Sequence, residues 1–326
     1  MKVDLHDRLE AVGAAAWDDL LDRVAFRSPF LWWTWQQQWV RVFAQGRRLE
    51  VRSVVDRAGK LVALLPLYEA EPEVFRLVGG VDVSDYLDLI VETGRAEEAW
   101  AALLAAPGIS PSVWDLHAVP AASPTVTMLP RIVTASERAA MVTVEARCPV
   151  LTLPASWEQY VASLSGKHRH ELTRKMRRLG REAPDARATS LGARREVEAR
   201  FDDFLRLHRR SRAGKAKFMD ERMERFFRGI VSSLAERGAL RLWFLDTASE
   251  PLASFITLEW DGTVGLYNSG FEPSRAALAP GLVLLAHMIG DAIARGKTRF
   301  DFLRGEERYK YEFEPTPEDV CQVRIT

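Results

Sequence analysis

The second half of the chain alternates apolar and polar positions in three consecutive stretches. These stretches are LRLWFLDT (240–247), LASFITLEW (252–260) and TVGLYNSGF (263–271). Their period of two residues is typical of strands. Asp261-Gly262, between the last two stretches, predicts a tight hairpin turn. The pattern therefore predicts an antiparallel meander of three strands.

An almost wholly apolar segment follows the meander, from residue 282 to residue 294, and it ends at Arg295-Gly296. Because apolar residues occupy nearly every face of this segment, we expect a buried helix that Gly296 terminates. The next stretch, TRFDFL (298–303), predicts one more strand. The second half thus has the order meander, loop, buried helix and strand.

The first half of the chain has the same order of elements in a looser form. The predicted elements are strands at 49–56, 60–69, 74–80 and 86–91, a helix at 95–106 that Pro107-Gly108 ends, and a strand at 112–119. No repeat of fixed period links the two halves. The shared order nevertheless predicts two similar α/β domains, at residues 1–147 and 148–326.

The composition excludes several classes of protein. The chain has 326 residues, of which 47 % are hydrophobic and 28 % charged, as in ordinary globular proteins. Cys148 and Cys321 cannot form a disulfide framework, and no cysteine–histidine cluster has zinc spacing, so we expect no metal. No apolar window approaches the ~20 residues that span a bilayer, and the start lacks the apolar core of a signal peptide. We therefore expect a cytoplasmic protein without a membrane span.

Charge is unevenly distributed along the chain, although Lys+Arg and Asp+Glu both total 45. Between Leu151 and Lys217 there are 17 Lys/Arg and 8 Asp/Glu, a local excess of +9 (17 − 8). The segment 164–182 has one apolar and one basic face at helical spacing, which predicts either a surface for an anionic ligand or a solvated helix. The neutral total and the lack of a nucleic-acid-binding motif argue against a DNA-binding protein, whereas contact with a tRNA acceptor stem stays open.

The tripeptide Ala279-Pro280-Gly281 leads into the buried helix, which continues with Leu282. The first turn of a helix has unpaired N–H groups and a partial positive charge, and both attract phosphates. Gly281 lets a ligand approach the backbone, and Pro280 sets φ for the start of the helix. Because many helices without a ligand also start with Pro-Gly, the tripeptide indicates a phosphate site only in combination with other features.

Segments between about residue 29 and residue 313 carry a resemblance to a known family. They are PFLWWTWQQQWV, LVALLPLYE, VSDYLDLIV, CPVLTLPASWEQYVASLSGKHRHELTRKMRRL, FLRLHRRS, LAPGLVLLAHMI and FDFLRGEERYKYEF. The order of elements resembles the core of GCN5-related N-acetyltransferases (GNAT). The whole chain more closely resembles the CelD-type (cellulose-biosynthesis) acetyltransferases, which join two such domains. The tandem arrangement is also similar to the Fem aminoacyltransferases, which take amino acids from tRNA.

The resemblance implies an α/β fold of two tandem GCN5-related N-acetyltransferase-like domains with mixed, largely antiparallel sheets. In that fold two neighbouring strands splay apart, and an acyl-CoA, most often acetyl-CoA, inserts between them. Here the two strands would be GLYNSGF and TRFDFL, so the second domain would bind the donor.

The phosphate-binding signature of the family, Arg/Gln-x-x-Gly-x-Gly/Ala, is incomplete in this chain. Arg275-Ala276-Ala277 is followed by Leu278 and then by Ala279-Pro280-Gly281, so the signature glycines are not in place. The donor therefore stays open between a CoA thioester, a carrier-protein thioester and an aminoacyl-tRNA.

The resemblance also implies which residues would touch the two substrates. Tyr267 and Asn268 on the first splayed strand and Lys310 beyond the second would contact the donor, together with the helix start from Ala279 to Leu282. The residues expected on the acceptor side are Lys167 and Arg169 of the basic segment, Tyr86 and Asp88 of the first domain, and Arg304.

Four residues are candidates for moving the proton that acyl transfer releases. Asp301 lies on the strand where the gap should open, although an ion pair with a neighbouring arginine is an equal alternative. Asp85 is a second carboxylate, from the first domain. His208 has a side chain whose ordinary pKa suits proton transfer near neutral pH, and Tyr309 could protonate a leaving thiolate.

These features predict an acyltransferase that moves an acyl group directly to an amine or hydroxyl, on a sugar, a polysaccharide precursor or an amino compound. Direct transfer is the simpler mechanism because no Gly-x-Ser-x-Gly element is present. Two alternatives stay open. One is a Fem-like transferase that uses aminoacyl-tRNA, and the other is a non-catalytic protein of the same fold that binds a ligand in envelope polysaccharide synthesis.

Overall fold

The structure, a computed structural model, describes residues 1–106, 113–134 and 138–326. The predicted helix stop at Pro107-Gly108 lies outside the described residues. Within the described part of the chain, no helix is long and apolar enough to cross a membrane.

The helices and strands are named here in chain order. The strands are β1 (Lys2–His6), β2 (Leu49–Val55), β3 (Leu61–Glu71), β4 (Val74–Leu77), β5 (Ile90–Val91), β6 (Val113–Pro120), β7 (Ala140–Thr152), β8 (Arg187–Leu191), β9 (Leu240–Asp246), β10 (Pro251–Trp260), β11 (Thr263–Phe271), β12 (Arg299–Asp301) and β13 (Thr316–Ile325). The α-helices are α1 (Ala14–Leu21), α2 (Trp33–Phe43), α3 (Ala96–Ala105), α4 (Pro124–Thr127), α5 (Leu129–Val133), α6 (Trp157–Ser163), α7 (Gly166–Glu182), α8 (Arg194–Ser211), α9 (Ala213–Phe218), α10 (Glu221–Glu236) and α11 (Pro280–Ala294). Short 3₁₀ helices lie at Leu9–Ala11, Pro29–Leu31, Pro273–Leu278 and Lys310–Phe313.

The chain forms two compact units, and the boundary between them falls inside β7. The first unit comprises Met1–Arg147 with Glu318–Thr326, and the second comprises Cys148–Pro317. The sequence placed the last nine residues in the second domain. They belong to the first unit because β13 pairs antiparallel with β6, for example Ile325 with Trp114.

In the first unit, β2, β3 and β4 form an antiparallel meander, and β1 pairs with β2. Helix α3 then leads to β6, which pairs parallel with β4. The predicted strand at 86–91 is mostly wrong, because only Ile90–Val91 are a strand, paired with β3. The core of this unit contains large aromatic side chains that are fully buried, namely Trp17, Trp35, Trp100 and Trp114.

In the second unit, β9, β10 and β11 form the antiparallel meander that the sequence predicted. Strand β8 pairs with β9 at one edge, and β12 pairs parallel with β11. The predicted buried helix is α11, which starts at Pro280 and buries side chains on nearly every face. Helices α6 and α7 pack against α11, while α8 packs against β10 and β11.

Helix α8 lies unusually close to β11, and Gly270 of β11 makes this approach possible. A Cβ atom on Gly270 would contact the backbone N of His208 and lie 2.5 Å from the carbonyl carbon of Leu207. Real Cβ atoms do not approach a backbone this closely. The absence of a side chain at Gly270 therefore sets the distance between the helix and the strand.

We expect Gly270→Ala to destabilise the protein by about 1–3 kcal/mol, because the helix backbone must shift to make room for the methyl group. Gly180→Ala is the matched control, since Gly180 lies within α7 and no atom lies within 4 Å of its Cβ position. That change should be neutral or raise the stability by about 0.5–1 kcal/mol. Thermal unfolding followed by circular dichroism measures both effects. Equal unfolding temperatures for the two variants would contradict the packing argument.

Candidate functional site

Strands β11 and β12 separate after a short paired region. Their parallel register joins Thr263 to Arg299, Val264 to Phe300 and Gly265 to Asp301, where β12 ends. Strand β11 continues to Phe271, paired with β10 on its other side. The gap that the sequence predicted between these strands is therefore present.

A cavity of about 270 Å³ lies between the second half of β11 and the start of α11. Its walls are Ser211, Arg212 and Lys215 from α8 and α9, Phe255, Ser269, Gly270 and Phe271 from the strands, Ala276 and Ala279 to Leu282 around the start of α11, and Glu307 and Tyr309 from the loop after β12. The lining is apolar in its strand and helix portions and carries both cationic and anionic side chains at other positions. A pocket of this kind suits a ligand with an apolar arm and a charged end.

The start of α11 places unpaired backbone groups at the cavity. Ala279 has a left-handed backbone (φ 51°, ψ 47°), which turns the chain from the preceding 3₁₀ helix into α11. A Cβ on Gly281 would meet only the Phe255 ring, at 3.7 Å, so packing alone does not require glycine there. The four residues predicted at this helix start, Ala279, Pro280, Gly281 and Leu282, all line the cavity. The first-turn N–H groups and the helix dipole favour an anion at this end.

Strand β11 carries a β-bulge at the gap. Asn268 lies opposite Ile256 and Leu266 opposite Thr257, so Tyr267 is an extra residue on β11. The ring of Tyr267 stacks on Phe227 of α10, with the centroids 5.5 Å apart. Neither predicted donor contact on this strand, Tyr267 or Asn268, lines the cavity, because the bulge directs the tyrosine ring into the helix packing.

Lys215 and Ser269 meet in the wall of the cavity. The Lys215 Nζ donates to the backbone carbonyl of Ser269 and lies 3.0 Å from its Oγ. Burial, aided by the positive charge of Arg212, lowers the pKa of Lys215 to about 8. No sequence pattern indicated this pair, because the two residues are 54 positions apart in the chain.

Tyr309 also lines the cavity, as the sequence predicted for the residues beyond β12. Burial, followed by the negative charge of Glu307, raises the pKa of the Tyr309 phenol well above its usual value. The side chain of Ser269 is a hydrogen-bonding neighbour of this hydroxyl. Tyr309 therefore keeps its proton and can donate it to an atom in the cavity.

His208 lies behind Ser269 and is only 1 % exposed. Its Nδ1 is 3.0 Å from the Ser269 carbonyl oxygen, so Nδ1 carries the proton and donates it. Burial, followed by the charge of Lys215, lowers the pKa of His208 to about 4. Its Nε2 is buried and has no hydrogen-bond partner among the described residues. The ring is thus neutral near pH 7 and supports the strand from outside the cavity lining.

Asp301 and Lys310 have structural partners that explain their burial. The Asp301 carboxylate accepts the N–H of Leu303 at 2.8 Å and lies 3.5 Å from Arg299, as the ion-pair alternative predicted. The Lys310 Nζ donates to the carbonyls of Arg304 and Gly305, at 3.0 Å each, and pairs with a glutamate of the same loop. Asp301 and Lys310 do not line the cavity, and neither does Arg304.

The candidates of the first unit are held within its own core. Tyr86 packs edge to face on Phe26, with the centroids 5.7 Å apart. The Asp88 carboxylate accepts hydrogen bonds from the hydroxyls of Ser123 and Thr125. Burial raises the pKa of Asp88 to about 6. Asp85, the remaining candidate, is half-buried in the same segment.

The first unit also has a parallel pair of strands that separates, and a segment of the same unit contacts one of them there. Strands β4 and β6 pair in parallel at Val74 with Val113 and Phe75 with Trp114, and β6 then continues past the end of β4 while β13 pairs with its other side. The Leu87 N–H donates to the carbonyl of Ala118 on β6 at 2.8 Å. The segment that carries Asp85, Tyr86 and Asp88 therefore contacts β6 beyond the paired region, and Asp88 lines a cavity of about 180 Å³ together with Ser123 and Pro124.

Helix α7 is the basic segment that the sequence singled out. Lys167 and Arg169 are exposed near its start and do not line the cavity. Further along, a surface groove of about 200 Å³ is formed by one side of the helix, with His170, Thr173, Arg174, Arg177, Arg178 and Arg181 as its walls. Glu171 pairs with Arg174, and Glu182 pairs with Arg178. These glutamates neutralise only part of the positive charge of the groove.

Residues 166–311 match the family described as "Acetyltransferase (GNAT) domain". This range contains β11, α11, β12 and all the cavity residues. The match lies within the second unit, and it is to the family that the resemblance implied for this part of the chain. No curated protein is similar enough in sequence to give a match.

Several solved structures are similar to the whole chain. FemX aligns over 99 % of this chain and 97 % of its own, with 11 % identity and a TM-score of 0.66. A conserved protein of unknown function from Bacteroides thetaiotaomicron aligns over 99 % of both chains, with 12 % identity and a TM-score of 0.60. The C-terminal domain of an Agrobacterium fabrum protein assigned as a lysylphosphatidylglycerol synthetase covers 97 % of this chain and 92 % of its own, with 9 % identity and a TM-score of 0.59.

At these identities the similarities concern the fold alone. They agree with an α/β chain of two tandem GNAT-like domains with mixed, largely antiparallel sheets, the fold that the sequence predicted.

We expect the neutral His208 ring to make the stability of the protein depend on pH. Because the folded pKa (about 4) is below the ordinary value of 6.5, stability is complete above pH 6.5 and falls as the pH drops toward 4. The difference corresponds to roughly 3 kcal/mol. In His208→Asn the amide nitrogen can replace Nδ1 as donor, so this part of the pH dependence should disappear. The measurement is the change in unfolding temperature between pH 7.5 and pH 5, in the wild-type protein and in His208→Asn. An equal change in the two proteins would show that the ring is already charged in the folded protein, which contradicts the argument.

Proposed function

We propose that the protein is an acyltransferase whose second unit takes an acyl group from an acyl-CoA and passes it to an amine or a hydroxyl. The observation that carries this proposal is the cavity at the divergence of β11 and β12, which ends at the start of α11. The acceptor class suggested by the CelD-type resemblance is a sugar, a polysaccharide precursor or an amino compound, in the cytoplasm.

The start of α11 is the proposed site of the CoA pyrophosphate. The first-turn N–H groups next to Gly281 would bind the phosphate oxygens, and the helix dipole would add favourable energy. The absence of the signature glycines is no obstacle to this role. Ala279 already has the left-handed backbone that a glycine would normally supply.

The pantetheine arm would lie along β11 in the gap. Beyond Gly265 this strand no longer pairs with β12, so an extended ligand with amide groups can pair with its backbone as an added strand does. Phe255, Phe271 and Leu282 supply apolar contacts along the same wall. This placement brings the thioester toward Ser269 and Tyr309.

The polar residues of the cavity match the needs of acyl transfer. A nucleophile must lose a proton, and Lys215, with its pKa lowered to about 8, is partly neutral near physiological pH and can accept it. The leaving thiolate must gain a proton, and the Tyr309 phenol keeps one to donate. These roles require no group from outside the second unit.

We expect the purified protein to bind acetyl-CoA, or a longer acyl-CoA, with a dissociation constant in the micromolar range by calorimetry. Gly281→Trp should abolish binding, because its side chain would project into the cavity at the phosphate end. Gly180→Trp is the matched control, since the same substitution on α7 meets open space. If the wild-type protein binds no acyl-CoA, or if Gly281→Trp binds as tightly as Gly180→Trp, the proposed donor site is wrong.

The groove on α7 favours a second candidate, a transferase that takes its acyl group from aminoacyl-tRNA. Arginines bind phosphates through bidentate hydrogen bonds, and the groove places Arg174, Arg177, Arg178 and Arg181 within three helical turns. A row of this kind suits consecutive phosphates of an RNA backbone.

The tRNA candidate predicts salt-dependent binding of tRNA through α7. Arg177→Glu combined with Arg181→Glu should weaken binding about tenfold or more at low salt, because each contact releases counterions from the RNA. Arg195→Glu, an exposed charge reversal on α8, is the control. Filter binding measures the affinities. Unchanged affinity in the double variant, or no binding by the wild-type protein, would remove this candidate.

A further inference from the structure

Ser269 and Lys215 bring a potential nucleophile and a potential base together in the cavity. The Ser269 Oγ lies 3.0 Å from the Lys215 Nζ, within hydrogen-bond distance. Both side chains line the cavity, so both can reach a ligand there. A serine becomes a nucleophile when a neighbouring base can accept its proton, and lysine serves as that base in Ser-Lys enzymes of unrelated folds.

We propose that Ser269 is a covalent nucleophile, which accepts the acyl group from the thioester and holds it as an ester before the acceptor takes it. Lys215 is the general base for Ser269. This inference rests on the proposed acyltransferase function and changes its mechanism from direct transfer to two successive transfers.

The position of Ser269 is fixed by its neighbours. Its carbonyl oxygen accepts hydrogen bonds from the His208 Nδ1 and the Lys215 Nζ, and its N–H donates to the Asn268 side chain. The bulge at Tyr267 lies two residues before it. Because the backbone is held on both sides, the Oγ has little freedom to leave the cavity. A nucleophile held in this way loses little entropy when it reacts.

Lys215 meets the requirement for a base at physiological pH. Burial and the charge of Arg212 lower its pKa to about 8, while Glu307 opposes the shift and Lys310 adds to it. Roughly a tenth to a half of the molecules then carry a neutral amine between pH 7 and pH 8. A lysine with an ordinary pKa would be neutral in far fewer molecules.

In the first transfer the Ser269 hydroxyl proton passes to the Lys215 Nζ while the Oγ bonds to the acyl carbon. The carbon–sulfur bond then breaks, and the proton on Lys215 passes to the sulfur, which leaves as the free thiol of CoA. The products of this step are acyl-Ser269, neutral Lys215 and CoA.

In the second transfer the amine or hydroxyl of the acceptor gives its proton to Lys215 and bonds to the acyl carbon. The ester bond to Ser269 breaks, and the Oγ regains its proton from Lys215. The sum of the two steps is acyl-CoA plus acceptor giving CoA plus acylated acceptor. Water can replace the acceptor, which predicts slow hydrolysis of acyl-CoA by the protein alone.

The test is to mix the full-length protein with acetyl-CoA without an acceptor, quench it in acid, and measure the intact mass and the mass of its peptides. We expect one acetyl group on the peptide that contains Ser269. Ser269→Ala should bind acetyl-CoA in calorimetry and form no adduct. Ser269→Cys should form a thioester adduct that hydroxylamine removes. This second variant tests the proposal even if Ser269→Ala fails to fold.

Lys215 is tested by two substitutions that keep its length. Lys215→Met removes the base, and we expect the rate of adduct formation to fall about a hundredfold or more. Lys215→Arg should not restore the rate, because the guanidinium stays protonated at any working pH. A purely structural role for Lys215 predicts the opposite, since arginine would preserve the hydrogen bonds to Ser269.

The outcomes separate this inference from the proposed function. If the wild-type protein binds acetyl-CoA but forms no adduct on Ser269 and does not hydrolyse the thioester, the covalent step is wrong and direct transfer stands. An acetyl group found on Lys215 instead of Ser269 would also overturn it. If the protein binds no acyl-CoA, the donor proposal fails and the covalent step fails with it.

Discussion

The site depends on a single constraint, which is that β11 and β12 stop pairing after Gly265 and Asp301. A sheet strand that loses its neighbour keeps backbone N–H and C=O groups that must find other partners. At Ser269 the partners are side chains, since His208 and Lys215 both donate to its carbonyl oxygen. The divergence that opens the cavity therefore also explains why a lysine and a histidine are drawn to its wall.

The close packing of α8 against β11 allows His208 to reach the Ser269 carbonyl. His208 can contact the strand only because α8 lies against Gly270, where any Cβ would collide with the helix backbone. Helix α9 follows α8 after Arg212 and brings Lys215 to the same carbonyl. Gly270 thus allows the side chains of His208 and Lys215 to reach the carbonyl of its neighbour, Ser269. Burial lowers the pKa of both side chains, the charge of Lys215 adds to the shift of His208, and the charge of Arg212 adds to the shift of Lys215.

The two units differ in what contacts the strand that continues past its parallel neighbour. In both, a parallel pair of strands begins to pair and then separates. In the first unit the Leu87 N–H satisfies the Ala118 carbonyl, so the chain itself acts as the added strand. In the second unit the side chains of His208 and Lys215 donate hydrogen bonds to the Ser269 carbonyl, and a cavity lies beside them. The predicted candidates Tyr86 and Asp88 flank Leu87, the residue that makes this contact.

What the sequence could predict was local. The two-residue period identified the meander, the apolar run identified α11, and Pro280-Gly281 marked its start, whereas the gap between β11 and β12 was implied by the family resemblance. Lys310 was predicted to contact the donor, but it binds carbonyls of its own loop. A lysine after a strand has the same sequence pattern in both cases. Lys215 and Ser269 were missed because their pairing depends on how α9 folds back onto β11. A pattern within one helix or strand carries no information about a hydrogen bond between two of them. The contact between Lys215 and Ser269 therefore depends on the packing of the whole unit.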